Sequence, residues 1–252
     1  VKQVNFPTPN YLDNSENPKP EFIGLIPTSS LGVFGGAIGT NIPTGMAGEY
    51  YENISNNNIQ GLKSSDYTQA ISLLSNKEAY SFNLLTTPGL IGDGTNYSSH
   101  ISNISLILSN TQTRGDSIYI LDLVGYGSNL LPVTTNSITY NTSYAASYWP
   151  WVKTIDPDTA KQVWVPASTM IPGVYAFNIN SIATFPNSGV TVFGQKTLQK
   201  KKSALDRVNV RRLLIELKSF ISQIADTLVF EQNNVVTRNN FLSQVNPYLS
   251  SI

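Results

Sequence analysis

The pattern of apolar and polar positions along this chain changes near Gly61. Before it, residues 1–60 are rich in Pro, Gly and Asn, which predicts extended segments and turns. After it, Ser65 or Asp66 can cap a short helix. The apolar side of this helix is formed by Ala70, Ile71, Leu73 and Leu74. A strand is predicted over residues 82–85, and Pro88-Gly89 predicts its end.

Helix and strand patterns then alternate. Residues 100–109 carry apolar side chains at helical spacing, and Arg114-Gly115-Asp116 is expected to turn the chain into a buried strand over residues 117–124. The helical apolar positions are Ile101, Ile104, Ile107 and Leu108. This alternation predicts an α/β fold with at least partly parallel strand pairing.

The next segments are shorter. Residues 137–155 alternate and are rich in aromatic side chains, which predicts β structure ending in a turn at 156–158. A short strand is expected at 164–166, and a helix or turn at 168–176. A second unit is expected to begin near Asn178, with a strand at 190–194. The predicted organisation is a turn-rich segment at 1–60, a middle domain at 61–178 and a C-terminal domain at 179–252.

The longest amphipathic pattern is a helix predicted from Asp206 to about Phe230. Six apolar residues follow one another at spacings of 4, 3, 4, 3 and 4, which places them on one face. They are Val210, Leu214, Leu217, Ile221, Ile224 and Leu228, and Leu213 and Phe220 widen the face. Arg211 and Arg212 are expected on the opposite, outward side. A last helix is predicted from Thr237 to about Leu249.

The charge is concentrated at the start of this helix. Eight of the sixteen Lys and Arg residues lie between Lys196 and Lys218, here called the basic segment, against two acidic residues. The segment therefore carries +6 and the rest of the neutral chain −6, which predicts an acidic protein surface as partner. The candidate interface residues are Lys200, Lys201, Lys202, Arg207, Arg211 and Arg212. Nucleic-acid binding is the weaker alternative, because the whole chain is neutral and few aromatic residues lie in the segment.

The chain offers little for catalysis. It contains no cysteine and one histidine, His100, and no G-x-S-x-G motif is present. A hydrolase would have to use His100 as its base, but a capping or surface role at a helix start is the ordinary interpretation. The glycine-rich stretch at 32–39 is not followed by the Lys of a phosphate loop. No catalytic, cofactor or metal site is therefore predicted, and no apolar run is long enough to span a membrane.

Three short motifs follow one another in the second half of the chain. They are G-Q-K-T-L at 194–198, V-N-V-R-R-L-L at 208–214 and F-E-Q-N at 230–233. Earlier landmarks are T-P-G-L at 87–90, R-G-D at 114–116, and S-Y-A-A-S-Y-W-P-W at 143–151 leading to V-P-A-S at 165–168. Over about residues 60–252 this pattern resembles the contractile tail sheath proteins of myovirus bacteriophages.

The resemblance implies a structural protein, not an enzyme. It implies a subtilisin-like α/β middle domain and a smaller α+β C-terminal domain that contains the long amphipathic helix. Subunits of this family stack as hexameric rings around a tail tube and contract to drive the tube through the host envelope, so the implied location is the virion, after assembly in the host cytoplasm. The implied partners are further copies, the tail tube protein, and the baseplate and tail terminator proteins, without nucleic acid, membrane insertion or cofactor. A related phage-tail-like injection system would share this fold and mechanism and stays open as an alternative.

The resemblance also gives the basic segment a place. In the family the C-terminal domain lies near the tube, so the segment is expected to face an acidic strip of the tube or of a neighbouring subunit. Compared with the family pattern, we expect some tens of residues to be missing after Asn178 and the terminal arms to be absent from this chain. We therefore expect this chain alone to be monomeric at micromolar concentration.

Overall fold

The computed structural model describes residues 64–155, 160, 162–177, 192, 194 and 196–251. Several predicted features lie outside these residues. They are the turn-rich segment at 1–60 with its glycine-rich stretch, the turn at 156–158, the start of the second unit after Asn178 and most of the strand at 190–194.

The described residues form helices and strands in alternation. The helices are α1 (Ser64–Leu74), α2 (Ser98–Arg114), α3 (Leu130–Ser137), α4 (Ala167–Phe177), α5 (Val208–Asp226) and α6 (Val235–Ser250). The strands are β1 (Leu84–Ile91), β2 (Ile118–Asp122), β3 (Ala145–Ser147), β4 (Val152–Ile155) and β5 (Gln162–Val165). The mixed α/β class predicted from the pattern is confirmed.

A parallel sheet with strand order β1-β2-β3 is the centre of the fold. Strand β2 pairs with β1 through Leu84↔Ile118 and with β3 through Tyr119↔Ala145. Every residue of β2 is buried. Parallel strands covered on both faces read as continuous apolar runs, which explains why β2 shows no alternation in the sequence. Strands β4 and β5 form a separate antiparallel hairpin.

Helices cover both faces of the parallel sheet. Because successive side chains of a strand point to opposite faces, Tyr119 and Leu121 of β2 pack in one cluster, while Ile118 and Ile120 pack in another. The first cluster also contains Ile71 of α1 and Ile104 and Ile107 of α2. The second contains Ala167, Ile171 and Tyr175 of α4 and Val208 and Ile215 of α5. The basic segment therefore begins a helix that packs directly on the sheet.

The predicted end of the first strand at Pro88-Gly89 is wrong. Strand β1 continues to Ile91, and its register with β2 shifts between Thr86 and Ile91. Proline cannot donate a ladder hydrogen bond, but β1 lies at the edge of the sheet, where an irregularity accommodates it. Gly89 adopts a φ of 100°, which favours glycine.

The β structure predicted over residues 137–155 is only partly confirmed. Residues 145–147 and 152–155 are strands, but helix α3 occupies Leu130–Ser137 and residues 138–144 form no strand. Tyr140 and Tyr144, which suggested alternation, instead pack against the two clusters as half-buried side chains. The strand at 164–166 and the helix at 168–176 are confirmed as β5 and α4, with boundaries shifted by one or two residues.

The Arg114-Gly115-Asp116 motif closes α2 onto β2. Gly115 ends the helix in the left-handed conformation, with a φ of 66°, and its amide donates to the carbonyl oxygen of Thr111. The Arg114 guanidinium is 1% exposed and pairs with the Asp116 carboxylate at 2.8 Å. It also donates to the carbonyl oxygens of Leu74 at 2.6 Å and Tyr80 at 2.7 Å. One side chain thus joins α1, the following loop and the α2–β2 turn.

Candidate interaction surface

The basic segment is attached to β3, which is an outer strand of the parallel sheet within the described residues. Thr197 forms an isolated antiparallel bridge with Ala146 of β3, and the Leu198 amide donates to the Ala145 carbonyl at 2.9 Å. Lys196 bridges to Arg207, and its Nζ pairs with the Asp206 carboxylate at 2.8 Å. The G-Q-K-T-L motif therefore holds the start of the segment against β3.

Asp206 does not start the long helix as predicted. It ends a short 3₁₀ helix, Ala204–Asp206, and α5 begins at Val208 and ends at Asp226, four residues before the predicted end. The Asp206 carboxylate is occupied by Lys196. Ser203 caps the 3₁₀ helix, because its hydroxyl accepts from the Leu205 amide, whereas the N-cap residue of α5 is Arg207, which forms no side-chain capping bond.

Lys200, Lys201 and Lys202 lie in an ordered loop with exposed side chains. The Lys200 amide donates to Asn141 Oδ1 at 3.0 Å, and the Gln199 side-chain amide donates to the Lys201 carbonyl at 2.7 Å and to Ser203 Oγ at 2.8 Å. The backbone of the loop is fixed while its three ammonium groups face outward. Arg207 is exposed as well. We call these four exposed residues the outward basic patch.

The predicted outward position of Arg211 and Arg212 is wrong. Arg211 is 9% exposed; its guanidinium lies 4.0 Å from the centre of the Tyr144 ring and donates to Ser143 Oγ. Arg212 is half-buried, 4.7 Å from the centre of the Tyr175 ring, and donates to the Tyr175 carbonyl at 3.3 Å. An aromatic face and one hydrogen bond replace part of the lost water at each guanidinium, so arginine can occupy the inner side of α5.

The apolar face of α5 is correspondingly rotated in its first half. Val208 and Ile215 are buried in the core, whereas Leu214 is 42% exposed. In the second half Ile224 is buried, as predicted, and the Phe220 ring stacks on Tyr248 of α6 at 4.0 Å between centroids. The last helix is confirmed as α6, capped by Asn234, whose side chain accepts from the Thr237 amide. Its Val245 is 5% exposed.

Burial also shapes the electrostatics around Arg212. Burial lowers the pKa of its guanidinium, an effect that Tyr175 and Glu216 oppose. Burial raises the pKa of the Tyr175 hydroxyl, which is hydrogen-bonded to the Tyr148 hydroxyl. A cluster therefore joins α5, α4 and the loop after β3. It consists of Arg212, which carries the positive charge, and the aromatic side chains of Tyr175 and Tyr148.

The surface role expected for His100 is wrong. His100 is fully buried, its Nδ1 accepts the Ile91 amide N–H at 3.0 Å, and its ring stacks on Tyr97 at 5.4 Å. In a Ser-His-Asp triad Nδ1–H instead donates to the carboxylate. The histidine here ties the end of β1 to the first turn of α2.

A buried carboxyl that the sequence analysis did not single out lies at the end of β2. Asp122 Oδ2 is 2.5 Å from Ser168 Oγ, and Oδ1 accepts the Ser168 amide at 3.2 Å in the first turn of α4. Burial raises the pKa of Asp122 to about 7, although the Ser168 bonds oppose this. Ser168 is 0% exposed, so no substrate can reach its hydroxyl. The pair joins β2 to α4.

Asp122→Asn is expected to flatten the pH dependence of stability. The folded pKa lies above the value of about 3.9 for an exposed Asp, so the folded state binds the extra proton and the contribution of Asp122 to stability falls as pH rises from about 4 to about 7. Between pH 5 and pH 8 the native chain should lose about 2–3 kcal/mol more than the variant, measured by urea unfolding. Asp226→Asn, on the exposed side of α5, is the matched control. Equal slopes for Asp122→Asn and the native chain would contradict this interpretation.

Two searches of the described residues are negative. No group of three or more His, Cys, Asp or Glu side chains in this part of the chain is placed to hold a metal ion. No helix among the described residues is long and apolar enough to cross a membrane.

The fold is shared with contractile sheath subunits. One similar structure is the contracted PVC sheath of an extracellular contractile injection system. It aligns with a TM-score of 0.54 at 20% identity, and the alignment covers 75% of this chain and 59% of that one. The contracted helical sheath of the anti-feeding prophage (AFP) aligns with a TM-score of 0.52 at 19% identity, covering 75% of this chain and 59% of that one. At this identity the likeness concerns the fold.

The sequence relatives indicate a narrower class of protein than the fold does. The tail sheath protein of Vibrio phage KVP40 is 40% identical over 79 residues, which is 31% of this chain and 12% of that protein. The tail sheath proteins of Salmonella phage ViI and Enterobacteria phage T4 are 37% identical over 92 residues and 36% identical over 76 residues, or 36% and 30% of this chain. The matched segments span only 12–15% of these relatives. No family model matches the chain. The resemblance to contractile tail sheath proteins is confirmed.

Proposed function

We propose that this chain is a structural subunit of a contractile phage tail sheath. In this proposal it assembles with further copies into stacked hexameric rings around a tail tube, and contraction drives the tube through the host envelope. The 36–40% identity to three phage tail sheath proteins carries the proposal, because the fold alone is shared by sheaths of more than one kind of machine. A sheath of a related injection system is the second candidate, favoured by the structural likeness to the PVC and AFP sheaths.

The finer parts of the proposal follow from the resemblance. We assign the parallel sheet with helices α1 to α4 to a subtilisin-like middle domain covering residues 61–178, with residues 1–60 as a preceding segment. We assign α5, which packs on the same sheet, and α6 to an inner C-terminal domain within 179–252. The proposed partners are the tail tube, the baseplate and the tail terminator, and the proposed location is the virion, after assembly in the host cytoplasm. A similar structure comes from the AFP baseplate, with a TM-score of 0.53.

The outward basic patch gives this proposal a surface. Lys200, Lys201, Lys202 and Arg207 project from a loop whose backbone is fixed by Asn141 and Gln199. A pre-ordered cluster of cations loses little conformational entropy when it meets carboxylates. We assign it to an acidic strip of the tube or of a neighbouring subunit. Arg211 and Arg212 are left out of this contact because they bind the chain itself.

In a full-length sheath protein that contains this chain, charge reversal at Lys200, Lys201 and Lys202 is expected to weaken assembly in a salt-dependent way. The repulsion between the introduced carboxylates and the acidic partner surface should be strong at about 0.05 M salt. It should be largely screened at about 0.5 M, because the Debye length falls from roughly 14 Å to about 4 Å. Sedimentation of assembled particles measures the effect. Lys77→Glu, at an exposed lysine between α1 and β1, is the control. Unchanged assembly and salt response of the triple variant would remove the patch from the proposal.

Labelling of phage particles tests the function itself. Gold-conjugated antibody raised against this chain should decorate the tail along its length between head and baseplate in virions that carry the protein. Label confined to the head or to fibres would contradict the proposal. A hydrolase centred on His100 is not favoured by any contact in the described residues.

A further inference from the structure

The turn between α5 and α6 presents apolar side chains to solvent. Phe230 is 99% exposed, and Val229, Val235 and Val236 are between 65% and 69% exposed. We call these four residues the apolar tip. Single exposed apolar residues are common, but a cluster of this kind around a fully exposed phenylalanine is typical of an interaction site.

The apolar tip is carried by an ordered turn. The Glu231 amide donates to the Leu228 carbonyl at 3.0 Å, and Arg238 Nε donates to Asn233 Oδ1 at 2.8 Å. Asn234 caps α6 by accepting the Thr237 amide at 2.9 Å. These hydrogen bonds hold the backbone of the turn that carries Phe230, while its ring is 99% exposed.

A second surface of the same chain is concave and aromatic. A cavity of about 270 Å³ opens beyond the end of β2 and is lined by Tyr126, Gly127, Ser128, Trp149, Pro150, Trp151 and Trp164. We call it the tryptophan pocket, because it contains all three tryptophans of the chain. Tyr126 holds two of them in place, with ring centroids 5.7 Å from both Trp151 and Trp164.

The chemistry of the tryptophan pocket favours an apolar occupant. The Trp149 indole N–H donates to the Ser128 carbonyl at 3.2 Å, and the Trp151 indole N–H donates to the Val124 carbonyl at 3.0 Å. Their polar ends are thus occupied, and what faces the cavity is ring surface. None of the lining residues is charged. An aromatic ring, which packs edge-to-face or offset on other rings, suits such walls.

The charges beside the two surfaces are also complementary. Lys153 is exposed on β4 and lies directly opposite Trp164 on β5, with its Nζ 5.8 Å from the centre of that ring. Glu231 is exposed and follows Phe230 immediately. An occupant that brings a carboxylate next to a phenyl ring would place opposite charges together at the rim of the pocket.

We propose that the apolar tip of one copy inserts into the tryptophan pocket of a second copy, with Phe230 as the buried ring and Glu231 facing Lys153. The pocket belongs to a different copy because Phe230 is 99% exposed in its own chain. This inference deepens the proposed function, on which it rests for the assembly of many copies. A contact between two different surfaces is head-to-tail, so repetition generates rings or helical arrays instead of closed dimers.

One such contact is expected to be weak. A single buried ring with one flanking ion pair is far below the size of a stable interface, which agrees with a monomer at micromolar concentration. In an array each copy makes the contact twice, once through its tip and once through its pocket, and other interfaces raise the effective concentration.

Disulfide trapping tests the contact without disturbing the phenyl ring. The chain has no cysteine, so Ser128→Cys with Gln232→Cys places one thiol at the pocket and one beside the tip. Oxidation of a solution at about 1 mM should give a ladder of linked multimers, because each copy carries both halves of the contact. Neither single variant should extend beyond a dimer. Addition of Phe230→Ala to the double variant should lower the linked fraction at least about tenfold.

The controls separate specific contact from collision. Leu73→Ala removes a side chain that is 58% exposed on α1 and should leave the ladder unchanged in the same background. Glu231→Lys should weaken the ladder and Lys153→Glu in the same chain should restore it. A ladder that persists with Phe230→Ala, or that does not form, overturns the inference. Neither result bears on the proposed function, which particle labelling tests independently.

Tryptophan fluorescence provides a second measurement, made on the chain without the introduced cysteines. Since all three tryptophans line the pocket, its occupation should shift the emission to shorter wavelength as the concentration rises from about 10 µM to about 1 mM. Phe230→Ala should abolish the shift and Leu73→Ala should not. A shift of equal size in both variants would contradict the proposed contact.

Discussion

Replacement of Arg114 by alanine is expected to lower the free energy of unfolding by about 3–5 kcal/mol, the cost of breaking a buried ion pair from one side. The substitution leaves the carbonyl oxygens of Leu74 and Tyr80 and the carboxylate of Asp116 without their donors. It also removes the guanidinium that lies 4.3 Å from the centre of the Phe82 ring. Urea unfolding followed by circular dichroism measures the loss.

Arg238→Ala is the matched control for this substitution. Arg238 is exposed, and its side chain donates to Asn233 Oδ1, so its loss should cost less than about 0.5 kcal/mol. A loss for Arg114→Ala as small as that of the control would contradict the role of Arg114 as the link between α1 and the α2–β2 turn.

Replacement of Arg211 by alanine is expected to cost about 2 kcal/mol of stability. The guanidinium contact with the Tyr144 ring and the hydrogen bond to Ser143 are both lost in a buried setting, and a void remains beside the sheet. Because these contacts join α5 to the loop before β3, amide hydrogen exchange in α5 should accelerate more than in α2.

Arg207→Ala separates this structural role from the role of the basic patch. Arg207 is exposed, only four residues from Arg211, and its removal should change stability by less than about 0.5 kcal/mol while weakening assembly at low salt. The reverse result, a stable Arg211→Ala variant and an unstable Arg207→Ala variant, would restore the original expectation that Arg211 faces outward.

The sequence was informative where side chains repeat with a regular period. Ile104 and Ile107 fixed the inner side of α2, and the uninterrupted apolar run at 118–121 identified the buried central strand. The Lys196–Asp206 ion pair joins the motif G-Q-K-T-L to the 3₁₀ helix that precedes α5. Local pattern sufficed in these cases because the burial follows from the period alone.

The errors came from contacts between distant residues. Arg211 lies inward because its guanidinium forms a cation–π contact with the ring of Tyr144, which is 67 positions earlier in the chain. The periodicity of the sequence could not reveal that partner. His100 is buried because the end of β1 supplies an amide to its ring. Strand β1 passes through Pro88 because it lies at the edge of the sheet, a fact of topology.

The two candidate surfaces also differ in how far they can be predicted from the sequence. The exposed lysines at 200–202 could be predicted from charge alone, since a run of three ammonium groups has no inexpensive buried position. The tryptophan pocket could not be predicted from the sequence, because its wall is assembled from the segment after β2, the segment after β3 and strand β5. Phe230 was recognised as part of a motif, but its exposure depends on how α5 and α6 are paired.

Electron microscopy of particles assembled from the protein tests the central claim most directly. A contractile sheath subunit should form striated cylinders with six-fold symmetric cross-sections, in a long narrow state around the tail tube and in a short wide state after contraction. Residues 64–252 of this chain should account for density in every repeat of the cylinder wall. Discrete globular particles without cylinders, or cylinders whose wall lacks density for this chain, would contradict the account.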